Sequence, residues 1–260
     1  MVSKTVRFLL LLVVLAAFVV PAVAQDATPE PAMMGVSPAC ADPASLSGDV
    51  SIGVVFGLSG NVSVYGLPQR DAVQLAVDQI NEAGYLGGAT LYPVFEDSAG
   101  DREQAIAAVT RLVDQGVTAI IGPTLSSEMT AAGPVAQEAG VLILGVSNTA
   151  SGLRELLGDF YMRASLPESA VIPGTIAQAT ESLGLTRVGV LYGNDNEFTV
   201  SGYEVFVEAL DANEVEIVGE ETFATGDVDF NAQLTNLISQ EPDALVVSAL
   251  AAEATQIILQ

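Results

Sequence analysis

The chain has 260 residues, with 32 acidic side chains against eight basic ones and no histidine. A formal charge of −24 repels phosphate backbones and anionic lipid, so neither nucleic-acid nor membrane-surface binding is expected. Without histidine, Ser-His-Asp and Cys-His catalytic arrangements and most zinc sites are excluded.

At the N-terminus Lys4 and Arg7 precede an unbroken apolar run, Phe8 to Val20, and then Pro21-Ala22-Val23-Ala24. That order predicts a secretory signal peptide over residues 1–24, cleaved after Ala24. Thirteen apolar residues fall short of the roughly 20 that cross a hydrocarbon core. The expected location is therefore the periplasm or the cell surface. The remainder keeps six arginines, no lysine and all 32 acids, a formal charge of −26. This acidity is read as a solubility feature that says little about substrate.

Residues 25–48, rich in Pro, Ala, Ser and Asp, read as a flexible leader. They hold Cys40, the only cysteine, which cannot form an internal disulfide. Lipid attachment and pairing with a cysteine beyond Gln260 are the two readings. Ser37-Pro38-Ala39 lacks the aliphatic residue expected before a lipidated cysteine and favours the second.

From Val50 a regular rhythm begins. Val50–Phe56 predicts a strand, Pro68–Ala83 a helix with apolar residues at 73, 76, 77 and 80, and Thr90–Phe95 a second strand. Arg102–Asp114 predicts a helix with Ile106, Val109 and Val113 on one face, followed by a strand over Val117–Ile121. A helix over Ser127–Glu138 and a strand over Val141–Val146 complete the set. Strands apolar on both faces, alternating with helices, define a parallel sheet covered on each side.

Between Phe160 and Pro173 the rhythm breaks, with Pro167 and Pro173 interrupting it, and then restarts. A helix striped by Ile172, Ile176, Ala179 and Leu183 leads to a strand over Arg187–Tyr192. A helix bearing Tyr203, Phe206, Val207 and Leu210 precedes a strand over Val215–Glu220. A helix over Phe230–Ser239 carries Leu234, Leu237 and Ile238, and a strand follows over Ala244–Ala249. The fold class is α/β: two doubly wound lobes, 49–165 and 166–260, joined near Leu166. The chain stops one or two turns into a helix begun near Ala251. The expectation is a second lobe cut mid-unit, with Ile257-Ile258-Leu259 left exposed.

No phosphate-binding loop of the G-x-x-x-x-G-K-[ST] kind is present, and Gly84–Gly88 lacks dinucleotide spacing. Glu96-Asp97 and Asp101 end a strand and open a helix, where capping accounts for them. Binding is easier to argue, because ligands of open parallel sheets sit beyond the carboxyl ends of the strands. Two loops lie there: Gly122-Pro123-Thr124-Leu125-Ser126-Ser127-Glu128 and Gly145-Val146-Ser147-Asn148-Thr149. Both offer hydroxyls and backbone N–H groups, and the first runs into a helix N-terminus suited to a carboxylate. The alternative is that Ser126 or Ser127 merely caps that helix, with Glu128 answering the dipole.

Val54–Gly60, Tyr65-Gly66, Asp78-Gln79-Ile80-Asn81, Ile121-Gly122-Pro123 and Ser147-Asn148-Thr149 come in the order found in periplasmic leucine/isoleucine/valine-binding proteins. So does Asn194-Asp195-Asn196-Glu197-Phe198 with Ser201-Gly202. The chain resembles that family from about residue 49 to its end. The resemblance implies a type I periplasmic binding fold whose lobes close on a ligand at a hinge cleft, with no cofactor and no turnover. It implies that Ser126 and Thr149 hold the ligand carboxylate, that the Ser147 carbonyl accepts from the ammonium, and that Tyr65 flanks the ligand. Phe198 stands where the family has tyrosine, so a hydroxyl contact is missing there. The acidic partner of the ammonium would lie beyond Gln260. ABC permease subunits are the implied protein partner of a monomeric receptor; the alternative is the ligand-sensing ectodomain of a receptor with the same fold.

Overall fold

The computed structural model describes residues 47–260, so the expected signal peptide and Cys40 lie outside the described residues. In the first lobe β1 (Ser47–Phe56) leads to α1 (Ser63–Glu82), β2 (Gly88–Asp97), α2 (Arg102–Asp114) and β3 (Ala119–Ile121). Then come α3 (Ser126–Ala139), β4 (Leu142–Gly145), the short α4 (Leu153–Leu157) and β5 (Tyr161–Arg163). The strands pair in parallel in the order β2-β1-β3-β4-β5. From β1 the chain first builds to one side and then crosses to β3 on the other. The crevice between the ends of β1 and β3 is therefore the topological switch point where ligands bind.

Several boundaries differ from the sequence reading. β1 begins at Ser47, so the last two residues of the expected leader are strand, paired with Gly88 and Ala89. α1 begins at Ser63, and Pro68 is its sixth residue rather than its first. Pro173 is likewise the sixth residue of its helix. Each proline lacks the N–H that would bond the carbonyl four residues back, yet each helix continues through it, as α3 does through Pro134. On α2 the buried face is Ala105, Ala108, Val109 and Leu112, while Ile106 is exposed. The two alanines let α2 lie close to α3, whose Met129, Ala132 and Ala136 join the same core cluster. β5 was not anticipated, since three residues carry no period, yet its Tyr161 is buried in that core.

The second lobe runs α5 (Glu168–Leu183), β6 (Arg187–Gly193), α6 (Glu197–Ala212), β7 (Glu216–Phe223), α7 (Asn231–Ile238), β8 (Ala244–Ser248) and α8 (Ala251–Leu259). Its strands are parallel in the order β7-β6-β8. Ile172 and Ile176 of α5 are buried as expected, but Leu183 at the helix end is exposed. On α6 the buried core positions are Val205, Ala209 and Leu210, with Tyr203 and Phe206 half-buried at their edge; Thr199, Ser201 and Gly202 are buried nearer the helix start. Ile238 of α7 is exposed whereas Leu234 and Leu237 are buried. Of the apolar triplet at the end of α8, Ile257 is buried with Leu191, Phe223 and Phe230, so the exposed edge comprises only Ile258 and Leu259.

Candidate functional site: the cleft between the lobes

Beyond the carboxyl end of the first sheet, a closed hydrogen-bond network sets the loops in place. The Thr124 hydroxyl accepts from Gly57 N at 3.0 Å and donates to Gln69 Oε1 at 2.9 Å. Gln69 Nε2 donates to Ser147 Oγ at 2.8 Å, and Ser147 Oγ donates to the Thr124 carbonyl at 2.6 Å. Four segments are thereby tied together: the ends of β1, β3 and β4, and the second turn of α1. Two glycines make this approach possible. A Cβ on Gly66 would collide with the Gly57 carbonyl, and one on Gly122 (φ 102°) with the carbonyl of Val55.

A cavity of about 210 Å³ opens here, lined by Tyr65, Ser147 and Thr149 from the first lobe and Phe198 from the second. Four of the five residues chosen from sequence are thus brought together. Thr124, Leu125, Ala249 and Leu250 complete the wall. The Thr149 hydroxyl is buried and has no hydrogen-bond partner among the described residues. Tyr65 reaches across the cleft, its hydroxyl accepting from Ala251 N, the first residue of α8, at 2.7 Å. Phe198 is the second residue of α6, whose start is capped by Asn196 Oδ1 accepting from Phe198 N at 3.0 Å. Further bonds join the lobes: Ser151 N to Ser201 Oγ at 2.9 Å, Glu168 N to the Thr149 carbonyl at 2.9 Å, and Arg102 Nη2 to the Asp195 carbonyl at 3.4 Å.

Ser126 is the one residue not on the wall. It is the first residue of α3, 1% exposed, and its hydroxyl accepts from Ala150 N at 3.3 Å. It does not cap the helix either. Leu125 holds the N-cap position, and its N–H donates to Glu128 Oε2 at 2.7 Å. Burial pushes the Glu128 carboxyl above its usual range. Elsewhere the capping reading holds for Asp101, whose Oδ1 accepts from Gln104 N at 2.9 Å, but not for its neighbours: Glu96 pairs with Arg111 at 2.6 Å, and Asp97 Oδ1 accepts from Leu58 N and Ala99 N, each at 2.8 Å.

Sequence reasoning passed over Glu168. It opens α5 and is 6% exposed; its backbone N–H donates to the Thr149 carbonyl at 2.9 Å. Burial pushes its carboxyl up to about 7, against the opposing pull of a hydrogen bond from Ser201 and the charge of Arg163. The available signal was an acid directly after Pro167, at a helix start on the crossing between lobes. Thr124 and Gln69 were missed because neither carries a spacing motif; only the fold pairs them. Among the described residues no group of three or more acids or cysteines is arranged to hold a metal ion, and no helix is long and apolar enough to cross a membrane.

Two parallel α/β lobes, with a cleft at the switch point and polar groups from both sides, define a two-lobed solute-binding protein. The chain belongs to the periplasmic binding protein family, which it matches over residues 49–260. It is similar to the Leu/Ile/Val-binding protein BraC3 of Rhizobium johnstonii, with 26% identity over 76% of this chain and 53% of that protein. Among solved structures, the branched-chain amino acid transporter substrate-binding protein LivJ of Streptococcus pneumoniae, in complex with isoleucine, superposes with a TM-score of 0.74. It is 32% identical, over 81% of this chain and 60% of that one. The leucine-binding protein LivK of Thermotoga maritima gives a TM-score of 0.71 at 26% identity, over 76% of this chain and 55% of that one. The chain thus spans a little over half the length of these relatives.

Proposed function

We propose that the protein is the extracytoplasmic solute-binding component of an ABC uptake system. It takes a branched-chain or related amino acid between its lobes and delivers it to membrane permease subunits. The observation that carries this reading is the unpartnered Thr149 hydroxyl on the wall of a cleft that both lobes line. Leu/Ile/Val binding in the name of one relative, and isoleucine in the complex of another, support the ligand class.

In this reading Thr149 donates to the ligand carboxylate and Ser126 supports it from beneath. The Ser147 carbonyl accepts from the ammonium, and Tyr65 and Phe198 flank the bound molecule. A ligand touching both lobes favours the closed arrangement by its differential affinity for it, which is the signal a permease can read. The signal peptide over residues 1–24 exports the chain, which works as a monomer and leaves its ligand unchanged. The test is titration calorimetry of the full-length protein with leucine, isoleucine and valine. Saturable one-to-one binding is expected, with the ligand recovered intact. No heat with any of the three, or a product in the recovered ligand, removes the reading.

A further inference from the structure

Beside the first cavity lies a second, of about 290 Å³, which shares Thr149, Phe198 and Ala249 with it. The two are compartments of one cleft. The second is walled mainly by apolar side chains, among them Ile172, Phe206 and Val247, yet Glu168 and Ser248 also face it. Glu168 Oε2 is buried and has no hydrogen-bond partner among the described residues, and the same holds for the Thr149 hydroxyl. The packing fixes the carboxyl there. A Cβ on Gly202 would lie 2.9 Å from Glu168 Oε1 and 2.5 Å from Ser248 Oγ, so α6 packs directly against the carboxyl.

We propose that Glu168 is a specificity-determining residue of this cleft, which makes its second compartment a site for side chains ending in a primary amide, beside aliphatic ones. The inference rests on the reading of the cleft as an amino-acid site. An aliphatic side chain closing over Glu168 leaves a buried carboxyl oxygen unanswered, and sites with unanswered polar groups discriminate against ligands that cannot reach them. A carboxyl poised near neutrality presents either an O–H or a bare oxygen. A primary amide answers both, since it donates and accepts, whereas a hydrocarbon answers neither. Arg163, Ser201 and Ser248 are the groups that face Glu168 from neighbouring elements; of them only Arg163 carries charge.

The test uses pairs of similar shape, asparagine with leucine and glutamine with methionine, titrated into the full-length protein. Wild type is expected to bind at least one amide within about tenfold of its apolar counterpart. Glu168→Leu should shift that ratio toward the apolar member by roughly ten- to a hundredfold. Because Glu168→Leu could misfold, a second reading comes from pH. Leucine affinity of wild type should fall as pH rises through neutrality and ionises the carboxyl, whereas Glu168→Gln should bind leucine evenly across the same range. Leucine binding with both amides excluded, a ratio unmoved by Glu168→Leu, or pH-independent leucine binding by wild type each overturns this inference alone. Failure of all four amino acids to bind removes the proposed function, and this inference with it.

Discussion

Two helix starts meet the cleft, and they treat their buried carboxyls differently. At the start of α3, Glu128 is fully buried and gives one oxygen to Leu125 N, Ser126 accepts from Ala150 N, and Thr124 is bonded on both sides. The second oxygen of Glu128 has no partner among the described residues, but Glu128 lines neither compartment of the cleft. At the start of α5, Glu168 and Thr149 are joined by one backbone bond, both residues line a cavity, and each has a buried side-chain oxygen with no partner among the described residues. The first start spends its polar groups on holding loops in place. The second keeps them available for whatever enters. Burial and perturbed ionisation alone do not tell the two apart, because both carboxyls are shifted upward; the cavity does.

The sharpest way to break this contrast is Thr149→Val, which keeps the shape and removes the hydroxyl. If that hydroxyl waits for a charged ligand group, affinity should fall roughly ten- to a hundredfold. The melting temperature should hardly move, because no protein partner is lost. Calorimetric titration beside a melting curve reads both. A stable variant with wild-type affinity would place Thr149 with the structural residues instead.

The converse change is Glu128→Ala. Leu125 N loses its acceptor at a buried helix start, so stability should fall by about 1–3 kcal/mol in chemical denaturation. Any loss of affinity should follow from loosening of the Thr124-Leu125 loop. A variant as stable as wild type would mean that the desolvation of this carboxyl already cancels its bond.

Glu168→Gln should act in the opposite direction. With its carboxyl raised to about 7 from an ordinary 4.5, the folded protein holds a proton through an interval where the unfolded chain has lost it. Stability therefore falls as pH rises across that interval, and stays lowered above it. Glu128, also shifted upward, adds to the same fall. Glu168→Gln removes its own share, so the variant should be more stable than wild type above neutral pH, with a flatter profile below. Melting curves across that range check the sign; a variant less stable at high pH would mean that the ionised carboxylate is answered after all.

The alternation of strands and helices was legible because parallel strands buried on both faces leave unmistakable apolar runs, such as Val54-Val55-Phe56 and Val188 to Leu191. Which face of a helix turns inward was read less well. On α2 the larger Ile106 stays out while Ala105 goes in, since close helix packing rewards small side chains over hydrophobic ones. At the cleft, Ser147 and Thr149 could be found because they lie in a loop beyond a strand end, whereas Tyr65 and Phe198 came only through the family resemblance. Glu168 and Gln69 could not be found either way. One looks like an ordinary acid in a helix first turn, the other like a surface glutamine, and only tertiary contacts distinguish them.

The smallest expected effect falls on Ser126, where resemblance and geometry give different forecasts. The family resemblance assigns its hydroxyl to the ligand carboxylate, which predicts a large loss of affinity for Ser126→Ala. In the structure Ser126 is almost fully buried, lies off the cavity wall, and accepts one bond at 3.3 Å from Ala150 N, the residue that follows Thr149. That bond couples the start of α3 to the strand-end loop carrying the open hydroxyl. A neutral bond of this length contributes about 0.5–1.5 kcal/mol, so Ser126→Ala should lower stability by that amount. Affinity should fall only a few-fold, through Thr149, because the backbone N–H groups at the helix start remain. Combining Ser126→Ala with Thr149→Val separates the two forecasts. If Ser126 acts through Thr149, the double variant binds no more weakly than Thr149→Val alone, whereas two independent contacts give losses that add in free energy.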